Sequence, residues 1–374
     1  MVQVSAAAFT ETNPDLSKAL FNATSTIDPA KLAPNEVFIA ALGVPVNPSD
    51  RLQVAGSYKT QIKLQHLGQD TSEKKVAVGG NEGCFRVAGV GKHVTSYKVG
   101  DWVILKLTSF GTWRSHAIVT ISDEDQSPLI VVSSDQENNL SMDEASTIST
   151  NPCTAYQLFH NYVSDWQAGD WIIMNAGNSF VNKYLYQLAK HHGVKTLGIV
   201  RNKPEAELNE IVDELRSLGA TEIITEDQFV AEDFAPQSLP KIIGKDARVR
   251  LALDSLGGRT TPNLVASLSS DQTFVNYGAM SGGVVTFSPG VQLAKNITLK
   301  SYWLTRNTLS NPQSKVDTIN NLLPLYKAGV FKPVKFTHVP WDGCGSLRDV
   351  FLKAINESPL GKRVVTFPTN TVGH

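Results

Sequence analysis

The chain has 374 residues, 41% hydrophobic and 18% charged, with a formal net charge of −1. That length suggests about two domains with a real core in each, and the near-neutral balance offers no basic field for nucleic acid or an anionic membrane surface. Cys84, Cys153 and Cys344 are too scattered for a disulfide framework or a metal site, and no apolar run approaches the roughly 20 residues of a membrane span.

Residues 1–9 read almost at once as strand, with no arginine-rich amphipathic stretch and no signal-peptide core. Strands are expected at 36–42, 84–90, 101–105 and 129–132, divided by Gly, Pro, Asn and Asp clusters. Short strands with long irregular links predict a β-rich, partly barrel-like domain. Residues 145–162 have helical spacing. Beyond them come strand 171–175, helix 181–192, strand 194–200, helix 208–218 stopped by Gly219, and strands 222–225, 249–254 and 273–278. This alternation predicts βαβ units and an α/β, Rossmann-type doubly wound parallel sheet. After a helix at 315–327, short strands and a helix at 346–356 rejoin the first domain. The expected division is 1–147 with 332–374 for the β-rich domain and 148–331 for the nucleotide-binding domain.

The turn after strand 171–175 carries the main functional signal. Ala176-Gly177-Asn178-Ser179 leads straight into a helix, a layout that aims backbone N–H groups at a phosphate. Phe180 and Asn182 stand where glycine is usual, so G-x-G-x-x-G is absent. The expected donors are the backbone amides of Asn178, Ser179, Phe180 and Val181, with Gly177 at the strand end. Phe180 is expected over or beneath the pyrophosphate channel. Asn182 is expected to move the helix slightly or to point its amide along the groove. About 20 residues on, where NAD sites place a carboxylate, stand Arg201 and Lys203, with no carboxylate to repel a 2′-phosphate. NADPH is therefore expected over NADH. Loops 254–258 and 276–282, the latter with Tyr277, Gly278 and Met280, should complete the site, because ligands gather at the carboxyl ends of such strands.

Several segments, in order, resemble the medium-chain dehydrogenase/reductase superfamily. They are Pro34-Asn35-Glu36-Val37, Val46-Asn47-Pro48-Ser49-Asp50, Gly80-Asn81-Glu82-Gly83, Gly100-Asp101-Trp102-Val103, Phe110-Gly111-Thr112-Trp113, Asn151-Pro152-Cys153-Thr154-Ala155-Tyr156, Leu218-Gly219-Ala220-Thr221, Leu253-Asp254-Ser255-Leu256-Gly257-Gly258 and Tyr302-Trp303-Leu304-Thr305. Within the superfamily they are similar to the quinone oxidoreductase-like fungal mitochondrial trans-2-enoyl-thioester reductases, over nearly the whole chain. The resemblance implies a GroES-like catalytic domain beside the Rossmann domain. Zinc relatives place Cys and His at the positions of Asn47 and Asn81. An amide does not replace a thiolate or imidazole on zinc, so a metal-free enzyme is implied.

The implied reaction is NADPH-dependent reduction of an enoyl-CoA or enoyl-acyl-carrier-protein to the saturated acyl thioester in fatty acid synthesis, with hydride going to the β-carbon. The family's donor to the thioester oxygen is a tyrosine, matched by Tyr58 in Gly56-Ser57-Tyr58-Lys59, although Lys59 stands where the family has proline. The resemblance also implies Asn47 near the nicotinamide or the substrate carbonyl, Trp303 beside the nicotinamide and acyl pocket, and Asn151 and Thr154 among the cofactor contacts. A homodimer joined by edge strands is implied, with 297–304 as the edge. So is a mitochondrial location, the lack of a presequence leaving the cytosol as the alternative. His93 and His116 have surface or packing roles. Two competing readings remain: a reductase of quinones or other α,β-unsaturated carbonyls, and a divergent paralogue with weak or no turnover, for which Phe180, Asn182 and Lys59 are the argument.

Overall fold

The computed structural model describes residues 1–58, 60, 62–123, 125–134, 140–356 and 361–368. Its strands, in chain order, are β1 (Val2–Phe9), β2 (Phe21–Ile27), β3 (Glu36–Pro45), β4 (Ala77–Val78), β5 (Cys84–Val90), β6 (Trp102–Leu105), β7 (His116–Thr120), β8 (Leu129–Ser133), β9 (Trp171–Met174), β10 (Lys195–Val200), β11 (Glu222–Thr225), β12 (Val249–Asp254), β13 (Thr273–Asn276), β14 (Thr298–Ser301), β15 (Phe336–Pro340) and β16 (Lys362–Thr366). Two compact units form: Met1–Thr150 with Thr308–Lys327 and Pro333–His374, and Asn151–Asn307 with Ala328–Lys332. No helix among the described residues is long and apolar enough to cross a membrane.

The first unit is built around β3, which pairs antiparallel with β5, β7 and β16 in a sheet of order β15-β16-β3-β5-β6-β8. Every residue of β3 after Glu36 is buried, so it reads as a continuous apolar run and not as an alternation. Gly43 is where the helix Met142–Thr147 presses on the strand: a Cβ there would lie 2.2 Å from Met142 Sδ. A smaller sheet of order β2-β1-β4 meets the larger one at an Ala6–Arg114 bridge, and the arrangement stays open. Trp113 fills the core, fully buried and stacked on Phe351 with centroids 4.8 Å apart.

The helix Pro312–Lys327 also belongs to this unit, not to the nucleotide-binding unit in which the span 148–331 placed it. Lys315, 2% exposed, donates from Nζ to the Leu105 carbonyl at 3.0 Å. The helix expected over 145–162 is two, Met142–Thr147 and Asn151–His160. The break precedes Pro152, which suits a first helical turn and not an interior.

The second unit is a six-stranded, all-parallel sheet of order β11-β10-β9-β12-β13-β14. Strand order reverses between β9 and β12, which opens a crevice at the carboxyl ends of the strands. β9 is buried along its length, and Trp171 and Ile173 pack with Leu197 and Ile199 in one core. Helix Glu205–Ser217 ends at Gly219, whose φ of +105° is left-handed. The edge strand expected over 297–304 is only β14, four exposed residues, because Leu304 already opens the helix Leu304–Ser310.

Candidate cofactor and catalytic sites

The turn after β9 is held by its own hydrogen bonds. Ala176 is left-handed at φ +48°, and the Gly177 N–H donates to the Ile199 carbonyl of β10 at 2.7 Å. A Cβ on Gly177 would stand 3.0 Å from that carbonyl and from the Tyr186 hydroxyl, and that hydroxyl donates to the Gly177 carbonyl at 3.0 Å. Glycine is therefore needed for close approach of turn to strand. Ser179 caps the helix Phe180–His191: its N–H donates to the Ala176 carbonyl at 2.7 Å, and its Oγ accepts from the Asn182 N–H at 3.3 Å. This corrects the expected phosphate cradle. The N–H of Ser179 serves the turn, and exposed Asn178 and first-turn Phe180 and Val181 stay as candidate donors.

Asn182 also differs from expectation. It is fully buried, and its Nδ2 donates to the carbonyls of Asn175 at 2.9 Å and Ala176 at 3.1 Å. Its Oδ1 accepts from the Tyr277 hydroxyl at 3.4 Å. The amide does not run along the groove; it fastens the helix to the end of β9. Phe180 turns edge-on to Tyr184, with centroids 5.7 Å apart, and Tyr184 meets Phe331 in the same way. Phe180 therefore packs along the flank of its own helix.

The crevice floor is polar and satisfied. Asp254, fully buried at the end of β12, accepts from Asn175 Nδ2 and Thr261 Oγ1 at 2.6 Å each and from the Gly257 N–H at 2.7 Å. Asn175 Oδ1 accepts from the Ser255 N–H at 2.8 Å, so the ends of β9 and β12 are tied across the reversal point. Gly278 passes so close to this floor that a Cβ would lie 2.6 Å from the Ser255 carbonyl. Burial pushes the Tyr277 hydroxyl up to about 12, keeping it a neutral donor. Met280 is exposed, and Trp303 lies just past β14, 37% exposed. Asn151 opens the helix Asn151–His160, where Thr154 is buried beside the Tyr302 hydroxyl.

Arg201 and Lys203 are exposed after β10, and Lys203 pairs with Glu207 at 2.8 Å. The expectation that no carboxylate stands nearby is corrected. Asn202 Nδ2 donates to Asp227, and the Asp227 N–H returns a bond to Asn202 Oδ1 at 3.2 Å.

In the first unit, register brings a second cluster together. Val364 pairs with Pro45, which sets Lys362 of β16 opposite Asn47 beyond the end of β3. Asn47 is buried; its Oδ1 accepts from Lys362 Nζ, and its Nδ2 donates to Glu82 Oε2 at 2.9 Å. Asp50 accepts from the Asn47 N–H and from Asn81 Nδ2, both at 2.8 Å. Burial pushes the Glu82 and Asp50 carboxyls up and the Lys362 ammonium down, while Lys362 draws both carboxyls back. The positions where zinc relatives carry ligands thus hold an amide, carboxylate and ammonium network. Tyr58 is half-buried beyond the left-handed Gly56 (φ +81°), its N–H donating to the Leu52 carbonyl at 3.0 Å. Lys59 lies outside the described residues.

Sequence reasoning missed Asn175, Asp254 and Lys362 as network members, and Arg259 altogether. Asp254 carried a signal, an acid ending an apolar strand before Gly-Gly. Lys362 carried none, because its partners are 315 and 280 residues away in sequence.

A parallel dinucleotide-type sheet in one chain with an open β unit defines a medium-chain dehydrogenase/reductase. More narrowly, the chain belongs to the mitochondrial enoyl-acyl-carrier-protein reductase family of yeasts. It is 42% identical over 382 residues to enoyl-acyl-carrier-protein reductase 1, mitochondrial, of Debaryomyces hansenii, covering 98% of this chain and 100% of that one. A solved complex of Etr1p with NADP and crotonyl-CoA is 32% identical at a TM-score of 0.88, with 98% of this chain and 100% of that one covered. The Etr1p/Etr2p heterodimer from Candida tropicalis, a mitochondrial 2-enoyl thioester reductase, matches with the same TM-score of 0.88, identity of 32% and coverage of 98% and 100%. No family model matches the chain.

Proposed function

We propose that this protein reduces trans-2-enoyl thioesters, as CoA or acyl-carrier-protein esters, to saturated acyl thioesters with NADPH. The observation that carries the reading is the end-to-end likeness to a protein whose structure holds NADP and crotonyl-CoA. The second unit fits a dinucleotide: Gly177 and Gly278 leave no room for a side chain where the backbone closes on β10 and on the floor. NADPH, when bound, supplies the hydride that reaches the β-carbon.

Negative charge then develops on the thioester oxygen, and the Tyr58 hydroxyl donates to it, so no metal is needed there. The α-carbon takes a proton to complete the saturated chain. Asn47, its amide fixed by Lys362 and Glu82, orients the nicotinamide or the substrate carbonyl. Trp303 borders the nicotinamide and acyl group, and Asn151, Thr154, Asn178, Val181, Arg201, Lys203, Tyr277, Gly278 and Met280 supply or shape the cofactor contacts. The protein works in the mitochondrion, as its relatives' names state for them, and as a homodimer.

Initial rates with crotonyl-CoA and with a quinone, each with NADPH and NADH, test the reading. Preferred turnover of crotonyl-CoA with NADPH is expected. Quinone turnover without crotonyl-CoA turnover assigns the second substrate class, and no turnover of either assigns the inactive paralogue.

A further inference from the structure

Arg259 stands in the one-turn helix Gly258–Thr260, just after β12. Its base is firmly held: the Gly257 N–H donates to the Asp254 carboxylate at 2.7 Å, and the Gly258 N–H donates to the Val284 carbonyl at 2.9 Å. Its side chain is 57% exposed and crosses to the segment that follows β11, where Nε donates to Glu226 at 2.7 Å and an Nη donates to Asp227 at 2.6 Å. In the strand order β11-β10-β9-β12, those two loops flank the ends of β10 and β9. The guanidinium therefore spans the carboxyl-end crevice in which such sheets hold the adenosine half of a dinucleotide. Asp227 is latched to Asn202, the residue between Arg201 and Lys203.

We propose that Arg259 is a specificity-determining residue that leaves Glu226 and Asp227 for the 2′-phosphate of the cofactor, a step that rests on the NADPH reading above. Three arguments carry it. The guanidinium fork matches a phosphate as well as it matches carboxylates, and a phosphate brings more charge. Exposed ion pairs contribute little net stability, so exchanging partners costs little. A 2′-phosphate entering beside Asn202 meets the Asp227 carboxylate, and the arriving guanidinium adds a further cation against that repulsion. Arg201 and Lys203 alone would face that carboxylate uncompensated.

Calorimetric titration of the full-length protein with 2′,5′-ADP and with 5′-AMP tests this. Arg259→Gln is expected to raise the Kd for 2′,5′-ADP by roughly tenfold or more, the loss of a charge-assisted fork, and to leave 5′-AMP unchanged. Asp227→Asn removes one of the two competitors, the one beside Asn202, and is expected to tighten 2′,5′-ADP several-fold. Equal effects of Arg259→Gln on both ligands, no effect on either, or weaker 2′,5′-ADP binding in Asp227→Asn would overturn the exchange and leave a merely structural pair. A wild-type protein that binds 2′,5′-ADP no more tightly than 5′-AMP would instead overturn the NADPH reading, and this proposal with it.

Discussion

Asn182 replaces a glycine whose usual role is close helix–strand contact, and its buried amide restores that contact by another route. The two carbonyls it holds belong to the turn that must present the phosphate donors. Asn182→Gly takes this donor from both carbonyls; Ala176 keeps the Ser179 N–H, so the expected loss is about 1–3 kcal/mol at the buried Asn175 carbonyl. The variant is expected to unfold at a lower temperature and to bind NADPH more weakly, read by thermal melting and tryptophan fluorescence titration. Tighter binding with an unchanged melt would refute the clasp. Tyr58 belongs to the same scale. With Tyr58 in its proposed role, Tyr58→Phe removes the donor to the thioester oxygen, so kcat with crotonyl-CoA should fall about tenfold or more with little change in NADPH affinity; unchanged turnover sinks the assignment. Tyr58 and Asn47 are proposed because they sit in quotable motifs. The behaviour of Asn182 was not legible, because a pattern that expects glycine says nothing about which carbonyls a longer side chain will reach.

Among the elements, β14 is one of the two edges of the parallel sheet, β11 being the other. It ends the parallel sheet, all four residues are exposed, and Leu299 on it and Leu293 before it, 36% and 81% exposed, leave apolar surface uncovered. An open edge with apolar flanks invites strand pairing with a second copy. Size-exclusion chromatography with light scattering should give twice the 40.6 kDa chain mass, and Leu293→Glu with Leu299→Glu should shift the protein to monomer. A monomeric wild type contradicts the pairing. Element types were readable wherever burial made a continuous apolar run, as in β3 and β9. β2 and β7 escaped because Phe21–Ile27 is mostly polar and His116–Thr120 opens on a histidine. The division at 148–331 failed at Pro312–Lys327 because a buried lysine reaching one carbonyl is a tertiary fact, invisible to periodicity.

For the whole molecule, buried histidines make stability fall as the solution turns acid. His116 is 3% exposed and stacked on Phe38, and burial pulls its pKa down to about 4. Above the ordinary value of 6.5 it is neutral whether folded or unfolded. Between 6.5 and about 4 the unfolded chain takes a proton that the native state declines, so stability falls as pH falls. The full shift corresponds to about 3 kcal/mol. His160, pulled the same way by burial and by His192 but partly exposed, adds less. Urea unfolding at neutral and acid pH should show this loss, and His116→Gln should flatten it; an unchanged slope in the variant would place the acid sensitivity elsewhere.

The central chemical step is the transfer of hydride from NADPH to the β-carbon of an enoyl thioester. The direct test is to incubate the protein with crotonyl-CoA and NADPH deuterated at the transferring position, then locate the label in the product by mass spectrometry and NMR. Butyryl-CoA carrying deuterium at the β-carbon is the predicted result. Deuterium at the α-carbon, or label that leaves the cofactor without forming butyryl-CoA, would contradict it.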